Sequence, residues 1–353
     1  MKTGKTLSEL VTTVAKQVTS RHDYVADTRN VQFKATGSGL TMVLDKPDGA
    51  DEYTPTDLCH AQISAHTRVP KQYYDRLRTE APELLATNVN HWLDRAPARR
   101  LVRTLDRNAR AFMSDKYRPL DNYDLMQAIL PKLGESQLEI KSCELTETRL
   151  YIKAVSPKVQ GEIKKGDVVQ AGVVISNSEV GAGALSVLPL LYRLVCTNGM
   201  ICEDSNAMRR YHTGRRNEGD NGSWEVFSDA TRRQSDKAIF MQAKDLVNNF
   251  LTHEYVERLL VPMRIAAGSP IQNMDLTTVV ERVQKTFTLT EDEGTGIMRY
   301  LAAGGDLTQW GLANAITRSA QDVESYDRAT DLERIGGQLI ELPTKQWAAI
   351  AAA

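Results

Sequence analysis

The sequence predicts an α+β protein with a mixed helix-and-strand N-terminal half, a central antiparallel sheet and a helical C-terminal part. Three observations carry this. Helical caps and helical spacing alternate with short apolar runs over the first 137 residues. From Leu138 to Thr197 the pattern is almost wholly that of strands, and after Thr231 it is almost wholly that of helices. The expected regions are 1–98, helical and strand; 99–230, β-rich; and 231–353, helical.

At the start, Thr6-Leu7-Ser8-Glu9 fits a capping box, and Leu7, Leu10, Val11, Val14 and Val18 follow at helical spacing. Val31 to Val43 reads as two strands around Gly37-Ser38-Gly39. Thr54-Pro55-Thr56-Asp57 opens a helix that runs to about His66, with Pro55 at its first position. Pro70 opens a second, through Tyr73, Tyr74 and Leu77, and Pro82 to Leu93 forms a third. The first two have a helix-turn-helix outline, but no basic recognition helix follows, so a plain helix pair is the better reading. Leu101 to Leu105 and Ala109 to Ser114 read as a hairpin around the loop Asp106-Arg107-Asn108, and Asp121 caps the helix after it.

The expected central strands are Leu138–Cys143, Arg149–Ala154, Val168–Ser176 and Leu185–Cys196, with Asn198-Gly199 as a turn. Pro189 inside the last suggests an edge strand or a bulge, hence a surface for self-association. The polar, glycine-rich stretch from Gly214 to Gly222 reads as a surface loop. Expected helices then run over Lys237–Leu251, Thr277–Phe287, Glu291–Ala303 and Leu307–Gln321.

Composition narrows the function. Hydrophobic residues make up 41% and charged residues 25%, the profile of a globular chain. With no long apolar run and no apolar leader, a cytoplasmic protein without a membrane span is expected. Cys59, Cys143, Cys196 and Cys202 form no CxxC unit, and the six histidines show neither HxH nor HExxH spacing, so no metal site is expected. Val180-Gly181-Ala182-Gly183 and Gly294-Thr295-Gly296 complete neither a P-loop nor a dinucleotide fingerprint; the first reads as a strand turn, the second as a helix break or cap. No cofactor is expected. The acids Glu324, Asp327, Asp331 and Glu333 read as a solvated face.

The basic residues are more informative. Between Arg99 and Arg118, seven Lys or Arg (Arg99, Arg100, Arg103, Arg107, Arg110, Lys116, Arg118) face two acids, Asp106 and Asp115. Phe112 and Tyr117 stand among them. Cations neutralise phosphates and aromatic faces stack bases. A hairpin brings Arg103 and Arg110 together. Arg209, Arg210, Tyr211, Arg215 and Arg216 form a second strip, and Arg232, Arg233 and Lys237 a third cluster. The competing reading is ion pairing with acids elsewhere in a chain whose 44 basic and 45 acidic residues nearly cancel.

The run from Arg110 to Asp124, Ser176-Asn177-Ser178-Glu179-Val180-Gly181, and Arg193 to Met200 resemble the phage- and plasmid-type proteins grouped as domain of unknown function 932. The resemblance extends over roughly Asn88 to Leu342. It implies a prophage, phage or plasmid setting and work on nucleic acid, with single-strand annealing as one form of it. The expectation is a non-enzymatic protein that binds single-stranded DNA, possessing the capacity to form homo-oligomers. Arg103, Arg107, Arg110, Lys116 and Arg118 hold phosphates in this reading, Phe112 and Tyr117 stack bases, and Arg209, Arg210, Tyr211, Arg215 and Arg216 form the second strip. The alternatives are a metal-dependent nuclease or modifying enzyme, and a protein-binding accessory or host-inhibitory factor.

Overall fold

The Thr6 hydroxyl accepts the Glu9 N–H while Glu9 reaches back to the Thr6 N–H, so the first helix, α1 (Leu7–Ser20), starts at the capping box. The computed structural model describes residues 1–37, 39–204, 207–210, 229–272 and 275–352, and of Arg210, Asp229, Arg232 and Arg233 the backbone alone. After α1 come β1 (Arg21–Asp27), a 3-10 turn (Thr28–Asn30), β2 (Val31–Thr36), β3 (Gly39–Lys46) and β4 (Gly49–Pro55). Three helices follow, α2 (Asp57–Thr67), α3 (Lys71–Glu80) and α4 (Pro82–Arg95), then β5 (Arg99–Leu105), β6 (Asn108–Ser114) and α5 (Asn122–Glu135). Next are β7 (Glu139–Leu145), β8 (Leu150–Glu162), β9 (Val168–Asn177), β10 (Leu185–Arg193), β11 (Asn198–Ile201) and β12 (Met208–Arg210). The chain closes with α6 (Asp229–Phe250), α7 (His253–Ala267), α8 (Leu276–Phe287), α9 (Glu291–Gly304), α10 (Gln309–Ser319), α11 (Tyr326–Ile340) and α12 (Thr344–Ala351).

The α+β expectation holds. A first sheet has the order β1-β5-β6-β4-β3-β2, antiparallel except for a two-residue parallel join of β4 to β6. The hairpin β5–β6, grouped in the sequence with the central strands, belongs to this sheet. Helices α2 to α4 cover one face, burying Cys59, Ile63, Tyr74, Leu85, Val89 and Leu93 against Val31, Phe33, Met42, Val102 and Phe112. The free edge of β2 is blocked by a side chain. Asn90 accepts from the Phe33 N–H at 2.7 Å and donates to the Phe33 carbonyl at 2.9 Å, as a neighbouring strand would.

The second sheet, order β11-β10-β9-β8-β7 with β12 also on β10, is wholly antiparallel. Its Pro189 does not mark an edge. β10 pairs with β9 on one side; on the other, β12 covers Leu185–Val187 and β11 covers Leu190–Arg193. Pro189 falls in the gap between them, so its missing N–H costs no ladder bond. The turn expected at Asn198-Gly199 is strand β11, and the reversal is at residues 194–197.

The C-terminal helices pack on this sheet through a large apolar cluster that includes Trp310, Leu312, Ile316, Leu332 and Leu339. Polar anchors cross the same boundary. The Trp310 indole donates to Asp167 at 2.9 Å, and Asp167 also takes both arms of Arg193 at 2.6 and 2.8 Å. Lys153 of β8 meets Glu333 of α11 at 2.6 Å, both fully buried, with Thr330 accepting a second Lys153 hydrogen bond. Glu333 is therefore no part of a solvated face. A buried pair gains little net energy over apolar packing, but removing either partner strands a charge, at about 3–5 kcal/mol. Gly294 and Gly296 lie inside α9 instead of breaking or capping it; a Cβ on Gly294 would meet the Gln284 side chain. Pro55 ends β4, and α2 is capped by Thr56. The four cysteines are free thiols. No described helix is long and apolar enough to cross a membrane.

Candidate nucleic-acid interface

The hairpin β5–β6 turns through two residues, with Asp106 at φ 53°. Aspartate tolerates this left-handed conformation better than most residues. Thr104 pairs with Ala109 and Arg103 with Ala111, which leaves Arg110 as the extra residue of a β-bulge. The bulge breaks the alternation of faces. Ala109 joins the core under α2 to α4, whereas Ala111 joins Leu101, Met113 and Val180 on the opposite side. Arg110 turns to that opposite side as well, towards Glu179.

Arg103 and Arg110 do meet, but in a buried seam between the two sheets. Arg103, 1% exposed, donates from Nε to Asp23 at 2.8 Å, from Nη1 to the Glu179 carbonyl at 2.8 Å and from Nη2 to Asp121 at 2.9 Å. Burial alone would lower its pKa; the carboxylates of Asp121, Asp23 and Glu179 more than offset this and raise it. Arg110 reaches Glu179 at 3.2 Å. Arg21 binds Asp121 at 2.8 Å and Glu179 at 3.3 Å, and the Asn122 N–H donates to Glu179 at 2.6 Å. Asp121 begins α5 with its carboxylate on these arginines rather than on the helix amides.

Three expected contacts are therefore corrected. Arg103 and Arg110 have their guanidinium groups buried on carboxylates, and Phe112, 2% exposed, has its ring in the core. None offers a surface to a polymer. The Tyr117 hydroxyl donates to the Ser178 carbonyl at 3.1 Å, and burial raises its pKa. Arg118 pairs with Asp236 at 2.6 Å. Arg107 and Lys116 are exposed. Arg209 is exposed and paired with Glu203 at 2.7 Å. The Arg210 backbone pairs with Leu185, while its side chain and Tyr211, Arg215 and Arg216 lie outside the described residues.

A different surface combines cations with exposed rings. Pro70 disfavours helix at Val69, and α2 ends at Thr67, with Arg68 after it at φ 56°. The end of α2, the start of α3, the flank of α4 and the start of β5 enclose a groove of about 860 Å³. Tyr73 and Trp92 line it at 47% and 42% exposure, large values for such rings. Arg68, Arg100, His66 and Asn88 supply its polar wall, and no carboxylate is among the lining residues.

Arg100 is the centre of this wall. Its Nη2 donates to His66 Nδ1, and its guanidinium stands 5.8 Å from the Phe112 ring centroid. His66 packs on the same ring at 5.5 Å. Burial, helped by the Arg100 charge, lowers the His66 pKa to about 4, so the imidazole is neutral at pH 7. Burial also lowers the Arg100 pKa, partly opposed by Asp115. Arg100 forms no salt bridge among the described residues, and Arg100 Nε and Asn88 Oδ1 are buried without a hydrogen-bond partner. Sequence reasoning placed Tyr73 on a helix but gave neither it nor Trp92 a role. The available signal was helical phase: Trp92 and Asn88 lie on the flank of the buried stripe Leu85, Ala86, Val89 and Leu93.

Among the described residues no three His, Cys, Asp or Glu side chains are grouped to hold a metal ion. No curated protein and no solved structure shows significant similarity to the chain. A family model, Domain of unknown function (DUF932), matches residues 110–336. That span holds Arg110, Asp121 and Glu179 of the seam and the Lys153–Glu333 pair; the groove residues precede it. The chain belongs to the DUF932 family.

Proposed function

We propose that the protein binds single-stranded nucleic acid in the groove between Tyr73 and Trp92, and anneals strands without nucleotide hydrolysis. One observation carries this reading: Arg100 is a half-buried cation in an aromatic-flanked groove, and its hydrogen-bond partner, His66, is neutral. A phosphate would supply the missing charge, and an unstacked base would cover the rings. Duplex bases, already stacked, would gain less. Arg68 extends the positive wall, and Arg95 stands exposed one helical turn beyond Trp92. The role fits a cytoplasmic protein of a phage, prophage or plasmid.

The test is a salt titration of a labelled single-stranded oligonucleotide, followed by fluorescence anisotropy. Affinity falls steeply as salt rises if phosphates are neutralised. Arg100→Ala weakens binding and flattens the salt dependence. Absence of binding at low salt overturns the reading. A strand-annealing assay with complementary oligonucleotides then separates annealing from binding alone.

A further inference from the structure

Four strands stand at the ends of the two sheets, β1 and β2 in the first and β7 and β11 in the second, and three of them are covered. Asn90 occupies the edge of β2. Lys5 bridges to Cys143 on the edge of β7. Helix α11 lies so close to β11 that a Cβ on Gly337 would collide with the Ile201 carbonyl oxygen. Strand β1 is different. It pairs with β5, and Val25 near its middle is 51% exposed. Among the described residues no strand or isolated bridge pairs with its outer side.

The phase of its hydrogen bonds follows from its two ends. The Asp106 N–H donates to the Ser20 carbonyl at 3.2 Å and the Thr28 N–H to the Ala98 carbonyl at 3.0 Å, just beyond either end of a ladder with no register shift. Opposed residues of an antiparallel pair alternate between bonded and unbonded. His22, Tyr24 and Ala26 therefore bond β5, and Asp23, Val25 and Asp27 turn their N–H and C=O groups to the open side. Arg21 turns its carbonyl there too, its N–H being held by the Gln17 carbonyl. Such a row of unpaired groups is a template for another strand.

The charges along the strand select the occupant. Two β1 strands can meet antiparallel with their outward groups facing. A register centred on Asp23 sets that carboxylate against itself, and one centred on Val25 sets Asp23 against Asp27. Centred on Tyr24, the pair sets Asp23 against Val25 and Arg21 against Asp27, with no like charges opposed. Charges that would blunt the edge thus permit a symmetric register. We propose that β1 is a self-association edge, on which a second copy of this chain pairs antiparallel about a two-fold axis at Tyr24. The two six-stranded sheets then become one continuous sheet, and the two Tyr24 residues oppose each other where the backbones approach most closely. The surface for self-association lies on β1 and not at Pro189.

Sedimentation equilibrium of the full chain without nucleic acid, across micromolar concentrations, reads the association. The mass is expected to rise from one chain to two. Val25→Pro removes an outward N–H and no bond to β5, as proline on an edge strand does, and is expected to hold the protein at the mass of one chain. Charge at the same position gives a second test that needs no proline. Val25→Glu sets a carboxylate against the partner's Asp23 at both symmetric places and is expected to weaken the dimer about tenfold, whereas Val25→Lys sets opposite charges there and is expected to tighten it. A wild-type chain that stays monomeric overturns the proposal. So does a dimer that survives Val25→Pro in a folded protein, or one that responds alike to Val25→Glu and Val25→Lys.

Discussion

Arg100 and Arg103 stand three residues apart on one strand and face opposite sides of it. Arg103 enters the seam between the sheets, where Asp23, Asp121 and the Glu179 carbonyl occupy its donors. Arg100 enters the groove, where a neutral imidazole takes one donor and Nε has none. The two regions use one residue type in contrary ways. In the seam, charge is compensated and buried, and it fixes how the halves of the molecule meet. In the groove, charge is left partly uncompensated and open, which is what a ligand site requires.

The largest expected effect breaks the seam. Glu179→Ala removes the carboxylate shared by Arg110, Arg21 and the Asn122 N–H, and is expected to cost about 3–5 kcal/mol in chemical denaturation. A loss below ~1 kcal/mol would show that the seam is dispensable. Next is acid. His60 is 4% exposed, shares a 2.9 Å hydrogen bond with the Tyr74 hydroxyl, and has its pKa lowered by burial from 6.5 to about 4. As pH falls, the unfolded chain takes up this proton first, so stability is complete above pH 6.5 and is lost progressively down to about 4. The loss amounts to roughly 3 kcal/mol, and His60→Gln should flatten that slope in acid denaturation curves.

The groove responds differently. Trp92→Ala is expected to weaken oligonucleotide binding about tenfold, as removal of one stacking platform does, with less than ~1 kcal/mol lost from stability. A Trp92→Ala protein that binds normally would move the site elsewhere. Smallest of all, Arg107→Ala and Lys116→Ala remove exposed cations outside both regions. Each should leave stability within about 0.5 kcal/mol and binding nearly unchanged. A large binding loss from either would restore the hairpin as the contact surface.

Most helices were legible because their signals are local; α7, α11 and α12 were not among those expected. Thr6 with Glu9 and Thr290 with Glu293 form complete capping boxes, and Asp275 accepts from the Thr277 N–H. What escaped depends on distant partners. Strand β1 reads Arg-His-Asp-Tyr-Val-Ala-Asp and shows no apolar alternation; its pairing with β5, some eighty residues on, makes it a strand. Helix α11 looked like a charged surface because Lys153 is absent from its neighbourhood in sequence. The arginine cluster was visible, but nothing near it announced Asp23, Asp121 and Glu179 as its partners. The competing reading, ion pairing, describes Arg103 and Arg110. The groove was illegible for a further reason: it arises where three helices and a strand meet, and periodicity describes one element at a time.

The family match begins at Arg110, in the middle of the hairpin. Sequence kinship and mechanical integrity are therefore drawn along different lines in this molecule. A chain begun at that residue would lose β5 with Arg103, leaving Asp121 without that guanidinium and β6 without its antiparallel neighbour. A chain ended there would expose the Leu101 side of β5 to water. Anyone dividing the protein for separate expression should cut after Ser114, within residues 115–121, and carry Arg21, Arg103 and Arg110 with the first piece. Asp121 and Glu179 would then sit on the second, so the two pieces would present complementary charged faces, and their reassociation on mixing would weigh the seam as a bimolecular affinity.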